Sequence, residues 1–175
     1  MVALPREYVA ESCPIARSLE IVGERWTLLV VRDAFYGVRR FSDFCAHLGI
    51  PKAVLSERLS LLIGEGVLVK AEGGRGRDEY VLTEKGLRLW PILWSLAGWG
   101  DEYYVEQLQR RSYRHADCGG AIGPDRRCMS CGQLPDVADL LVDPPRRPRE
   151  RVLRDDPVST AFRRPRRLLE PIPRV

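Results

Sequence analysis

The sequence predicts a mainly α fold with one small β-hairpin, an α+β chain in three compositional regions. Three observations carry this. Apolar residues recur at i, i+4, i+7 between glycine stops over residues 1–112. The period switches once to strand-like residues around a glycine-rich turn at 72–78. Beyond about residue 112 the composition turns to His, Cys and Gly, and from residue 144 to Arg and Pro. At 175 residues, 45% hydrophobic and 30% charged, the chain can build a core without disulfides, and a wholly disordered chain is excluded. No uncharged apolar stretch approaches the roughly 20 residues of a spanning helix. The first dozen residues carry no basic-then-apolar leader. A cytoplasmic protein without membrane partners is therefore expected, its five cysteines reduced and available as metal ligands, sensors or core residues.

The elements follow in order. Cys13 precedes Pro14, which favours a first helical position, so Cys13 is the expected N-cap. Ile15, Leu19 and Val22 then form a stripe that Gly23 ends. A second helix is expected from Arg25 to Tyr36, apolar nearly all round and so central. A short helix capped by Ser42 carries Phe44, Cys45 and Leu48 inward and stops at Gly49. Another runs from Pro51 to Ile63, with Leu55, Leu59 and Leu62 on one side. Two short helices joined by a glycine turn have the shape of a helix-turn-helix. Residues 67–71 and 79–82 then flank a basic tip carrying Arg75 and Arg77. Thr83 caps a long helix in which Pro91 predicts a kink or break. This order describes a winged helix-turn-helix with a hairpin wing.

These residues resemble the HxlR-type branch of the MarR-like bacterial transcription regulators. The resemblance spans about residues 13–104. It rests on Cys13-Pro14-Ile15, Gly23-Glu24-Arg25-Trp26-Thr27-Leu28-Leu29, Arg32-Asp33 and Arg39-Arg40-Phe41-Ser42-Asp43. It continues through Leu55-Ser56-Glu57-Arg58-Leu59, Glu65-Gly66-Val67-Leu68, Tyr80-Val81-Leu82-Thr83-Glu84-Lys85-Gly86 and Trp99-Gly100. It implies a winged-helix homodimer that binds operator DNA and represses or activates nearby genes. Family members often carry a basic residue where Ser60 stands here, and in some a cysteine matching Cys13 senses oxidants or electrophiles.

Read by its chemistry, the helix from Pro51 to Ile63 is the candidate major-groove reader. Its outward residues are Ala53, Ser56, Glu57 and Ser60, with Lys52 at the N-terminal edge and Arg58 between the faces. This face is nearly neutral, so phosphate affinity is expected from Arg39, Arg40, Arg75 and Arg77. The spacing alone fits a plain amphipathic surface helix equally well. Trp90, Leu93, Trp94, Leu96 and Trp99 exceed what one small winged helix can hide, which points to a homodimer on a palindromic operator. The alternative is intrachain packing. Cys13 lies at the positive end of a helix dipole, which favours thiolate, so oxidant or effector sensing stands beside a plain capping role. Cys45, on an apolar face, reads as core.

His115, Cys118, Cys128 and Cys131 form two pairs, each three apart, with glycines after Cys118 and Cys131. Two such knuckles offer four N/S ligands to one structural zinc, in a zinc-ribbon-like module. A Cys128/Cys131 redox pair and a metal-free loop are the alternatives. Residues 144–175 carry ten Arg against four acids, +6, so the remainder sums to −2 and the net +4 belongs to the tail. Proline and repulsion are expected to keep much of this tail irregular, with Leu153, Phe162, Leu168 and Leu169 as anchors.

The domains expected are thus 1–112, winged helix-turn-helix and dimerisation; 113–143, Cys/His module; and 144–175, basic tail. The leading reading is a sequence-specific regulator acting as a repressor, with no enzymatic reaction. The alternatives are a zinc-ribbon adaptor for protein or RNA and a CxxC thiol-redox protein. Against the last, no βαβ pattern lies near the CxxC, and only two His are present, His47 and His115.

Overall fold

Proline at one end and glycine at the other set the first element, α1 (Pro14–Val22), with Cys13 at the N-cap and Gly23 at the C-cap. In the computed structural model, which describes residues 12–74, 77–146 and 155–173, the next helix is α2 (Thr27–Phe35). It begins two residues later than expected, because the Thr27 N–H closes a turn on the Glu24 carbonyl. Its all-round apolarity places it centrally, with Val30, Val31 and Phe35 fully buried. The third helix, α3 (Phe41–Leu48), is capped by Arg40 and not by Ser42. The Ser42 hydroxyl donates instead to its neighbour Asp43, inside the first turn. Gly49 then takes a left-handed φ of 66°, and α4 (Lys52–Gly64) follows with Pro51 at its N-cap.

The wing is longer in strand than expected. β1 (Leu68–Gly73) and β2 (Arg77–Leu82) pair antiparallel from Leu68↔Leu82 out to Gly73↔Arg77. Lys70 extends the pairing by reaching Asp78 at 2.9 Å across the strands. Thr83 caps the next turn by accepting from the Gly86 N–H. The expected long helix is two: α5 (Glu84–Leu87) and α6 (Trp90–Tyr103), with Pro91 in the first turn of α6. A proline there has no N–H to give the preceding turn, so the chain restarts instead of kinking.

A second sheet follows. β3 (Ser112–His115), β4 (Leu140–Asp143) and β5 (Arg166–Arg167) pair antiparallel in that order. Between β4 and β5 lies α7 (Pro157–Ala161), whose N-cap Asp156 accepts from the Val158 and Ser159 N–H groups. Sequence periodicity misses these strands because each has four residues or fewer, too short for an alternation to register.

One buried cluster unites all three compositional regions. Phe35, Phe44, Leu55, Leu59 and Leu62 of the winged helix pack with Leu140 and Val142 of β4 and with Val158, Phe162, Leu168 and Ile172. The C-terminal segment is therefore more ordered than its composition suggests. Leu168 and Phe162 do anchor it, and Leu169 packs partly buried against the same core. The Leu169 and Ile172 N–H groups donate to the Phe35 and Gly37 carbonyls, lacing the segment onto the end of α2. Arg75 of the wing and Leu153 of the tail lie outside the described residues.

Candidate nucleic-acid interface and metal centre

Helix α4 turns Leu55, Leu59 and Leu62 into the core, which forces the opposite side outward. Lys52, Ala53, Ser56, Glu57 and Ser60 are all exposed, and Arg58 is half-buried and paired with Glu57. This is the row the spacing anticipated, on one continuous face. Helix α3 packs beside it, as the first helix of a helix-turn-helix does.

What fixes α3 against α2 is a buried polar cluster. The Asp33 carboxylate, fully buried, accepts from Arg32 at 2.7 Å and lies 2.6 Å from His47 Nδ1 on α3. Burial by itself would push the Asp33 carboxyl up. The Arg32 guanidinium and the His47 ring outweigh it and hold the group below the ordinary carboxylate range. An Asp inside an apolar helix has to find partners once buried, but the partner on α3 lies 14 positions away and leaves no local pattern.

The four expected phosphate contacts divide. Arg77 is exposed on β2 beside the wing turn, and Arg75 lies outside the described residues. Arg39 donates to the Leu169 carbonyl and lies 3.8 Å from Glu79 on β2. Arg40 pairs with Asp43 at 2.7 Å and donates to the Ile172 and Pro173 carbonyls. Both side chains therefore hold the C-terminal segment and the wing to the start of α3. No sequence pattern pairs residues 130 positions apart.

The second site lies on the Cys/His segment. His115 at the end of β3, Cys118, Cys128 and Cys131 bring their ligand atoms within 4.8 Å of one another. His115 Nδ1 is 3.4 Å from both Cys118 Sγ and Cys131 Sγ, and Cys118 Sγ is 3.4 Å from Cys128 Sγ. An imidazole and three thiolates around one tetrahedral ion would have edges of about 3.5–3.8 Å. Three of the edges lie close to these lengths, so the cluster brings together a donor set that could hold a metal ion. Gly119 and Gly132, with φ of 71° and 73°, make the two knuckle turns. The backbone N–H groups of Cys131 and Ser130 hold the Cys128 thiol down to about 6. At Cys118 the Gly120 N–H also favours thiolate, but the Cys128 and Cys131 thiols outweigh it and leave the group raised. Asp117 lies 3.7 Å from His115 Nε2, on the side of the ring away from the sulfurs that Nδ1 faces. All four anticipated ligands come together, which disfavours a bare Cys128/Cys131 redox pair. Cys13 is an exposed N-cap far along the chain from them, and Cys45 is partly buried against the core.

Hydrophobic surface remains on one side. On α6, Ile92, Leu96, Trp99 and Tyr103 recur at i, i+4, i+7, i+11 and are 48%, 48%, 53% and 62% exposed. On α1, Ile15 and Leu19 are exposed as well. The opposite side of α6 is covered within the chain, Trp90 and Trp94 stacking on Tyr113 of β3. The expected aromatic excess is thus half intrachain packing and half exposed. Among the described residues no helix is long and apolar enough to cross a membrane.

The chain is similar to known proteins. Residues 21–108 match the profile of the HxlR-like helix-turn-helix. The uncharacterised HTH-type transcriptional regulator Rv3095 of Mycobacterium tuberculosis is 43% identical over 133 residues, 74% of this chain and 84% of that protein. The uncharacterised HTH-type transcriptional regulator YvaP of Bacillus subtilis is 38% identical over 98 residues, 54% of this chain and 91% of its own length. The crystal structure of PA1607, a candidate transcription factor, superposes with a TM-score of 0.58 at 38% identity, covering 65% of this chain and 81% of that one.

Proposed function

From a chain that belongs to the HxlR-like helix-turn-helix family, and is thereby a helix-turn-helix transcriptional regulator, we propose a cytoplasmic repressor that binds a palindromic operator as a homodimer. One observation carries the reading: α4 presents Lys52, Ala53, Ser56, Glu57 and Ser60 on a single exposed face, held in place by α3. In the major groove, Ser56 and Ser60 can donate to or accept from base edges, and Glu57 can accept from a cytosine amino group. Lys52 and the free N–H groups of the first turn meet phosphate. Arg77, with Arg75, tracks the backbone from the wing, and Arg39, Arg40 and Arg58 add positive potential beside the reading face.

A homodimer is supported by the exposed apolar stripe of α6 and by Ile15 and Leu19 of α1. Pairing through these surfaces would set two α4 helices about 34 Å apart, one turn of duplex. Cys13 caps the same α1, so its oxidation or alkylation would alter the dimer seam and with it the operator affinity. At the Cys/His cluster, the donor set of three thiols and one imidazole fits zinc, held by His115, Cys118, Cys128 and Cys131. Four protein ligands leave no open position, so the metal's contribution is structural.

Fluorescence anisotropy on the duplex upstream of the protein's own gene tests the reading. Binding should exceed a scrambled duplex by about a thousandfold and weaken steeply with salt. Equal, weak binding to the scrambled duplex and to pooled genomic fragments would overturn it. A Cys13→Ser variant should keep that affinity in the presence of an oxidant that releases the wild type.

A further inference from the structure

A cavity of about 750 Å³ separates α2, α6 and the Cys/His segment. Its walls are aromatic: Trp90 and Trp94 of α6, and Tyr113 of β3, whose rings lie 5.0–5.9 Å apart in contact with one another. Residues 110–113 and 121–124 form one side, beyond the part of the chain that matches the family. The Trp94 indole N–H donates to the Pro124 carbonyl at 2.9 Å and ties that side to α6.

At one end of this apolar space lies a concentration of positive charge. Arg32 and Arg111 both line the cavity, and both also line a second cavity of about 610 Å³ that contains Arg25. The Arg32 guanidinium is answered by Asp33. The Arg111 guanidinium is not answered by any carboxylate among the described residues. It lies against two rings, 5.5 Å from Tyr36 and 4.9 Å from Phe162. Its Nη1 is buried without a hydrogen-bond partner. The Tyr36 and Tyr113 hydroxyls, 3.4 Å apart, complete a donor-rich end. A buried guanidinium nitrogen with no acceptor is costly, and the cost is recovered when an anion supplies the acceptor.

We propose that this cavity is a binding site for a planar aromatic carboxylate, its rings against the wall formed by Trp90, Trp94 and Tyr113 and its carboxylate on Arg111. The volume is that of a small-molecule site. Asp101 and Glu102 also line it from α6, with Arg110 facing Asp101. Their charge sets the orientation, turning the anionic end of the ligand away from them and toward Arg111. The role of such a ligand as an effector rests on the regulator reading above, whereas the site itself rests on the cavity and Arg111.

Naphthalene-2-carboxylate and its neutral isostere naphthalene-2-carboxamide, titrated calorimetrically into the full-length protein, test this. The carboxylate should bind at one site per chain, quench tryptophan fluorescence, and bind about tenfold or more tighter than the amide. Arg111→Met should lose that preference while binding the amide nearly as before, and Arg111→Lys should keep part of it. Should Arg111→Met fail to fold, Ala97→Phe, which fills the cavity from an exposed position on α6, should abolish binding of both probes. Absence of saturable binding, equal affinity for the two probes, or a preference untouched by Arg111→Met would overturn the site. Operator binding on the same preparation keeps the two readings apart. A protein that binds operator but neither probe loses the site and remains a regulator. One that binds the carboxylate but no operator keeps the site and loses its regulatory role.

Discussion

Asp33 illustrates how a single side chain sets the working range of the fold. Its carboxylate is fully buried and shared by Arg32 and His47. Because its folded value lies below the ordinary one, deprotonated Asp33 stabilises the fold. That stabilisation is complete above the unfolded carboxylate value of about 3.9 and is lost as pH falls toward the lower folded value. Denaturant unfolding should thus give a wild-type stability that declines below about pH 4. Asp33→Asn should lower stability at neutral pH by about 2–4 kcal/mol, because Arg32 is left without its counter-charge. It should also flatten the acid limb. An unchanged acid limb would mean that other carboxylates govern it. The thiols give a second residue-scale expectation. Elemental analysis should find one zinc per chain, and Cys131→Ser or a strong chelator should remove it. Thermal unfolding should then fall by about 5–15 °C, because the knuckles have almost no apolar core of their own. The His/Cys quartet was readable from spacing because two knuckles impose fixed offsets. Asp33, with partners at positions 32 and 47, and Arg111, defined by what it lacks, were not, since neither leaves a local pattern.

At the scale of elements, helices with a glycine stop and an apolar stripe were legible, and the elements placed by distant contacts were not. α1 and α4 follow from Pro14, Gly23 and the Leu55-Leu59-Leu62 row, all within one or two turns. The start of α3 was misread because Ser42 is a good cap by type, yet its hydroxyl goes to Asp43. The C-terminal segment was legible in part, its anchors Phe162, Leu168 and Leu169 packing on the core as expected while its short helix and strand were not foreseen. Arg and Pro describe its composition, but Val158, Phe162, Leu168 and Ile172 recur often enough to bury it. Gly37 is the place to test this docking. Its φ is 82°, and a side chain there would meet the Glu170 carbonyl. Gly37→Ala should therefore destabilise the fold by about 1–3 kcal/mol through strain and displacement combined. Hydrogen exchange should show the loss of protection concentrated at Leu168, Leu169 and Ile172, whose N–H groups bond to Leu140, Phe35 and Gly37. Release of the segment would also remove the carbonyl contacts of Arg39 and Arg40 while leaving their pairs with Glu79 and Asp43 in place. If exchange rises uniformly, the segment is part of the global core and not a separable strap.

For the whole molecule, the decisive quantity is the surface left over after the chain has folded on itself. Trp90 and Trp94 find partners in Tyr113 and Phe35, so that side of α6 is spent internally. Ile92, Leu96, Trp99 and Tyr103 do not, and they form a continuous row two residues out of phase with the buried one. Exposed aromatic and aliphatic side chains in a helical row are unfavourable in water and are covered most economically by the same row on a second copy. Trp99→Glu places a charge in the middle of that row without touching the core, because among the described residues the aromatic contacts of Trp99 are to Tyr103 and Tyr104 alone. Light scattering after size exclusion should therefore read two chains for the wild type and one for the variant, with unchanged circular dichroism. Operator affinity should fall with the dimer, by about a hundredfold or more, because two half-sites joined in one particle bind at high effective concentration and separate ones do not. Binding to a single half-site should barely change, since α4 and the wing lie elsewhere in the fold. A variant that remains two chains in mass would place the seam on another face. A variant that is one chain yet still binds the full operator at wild-type affinity would show that this protein reads its site without pairing.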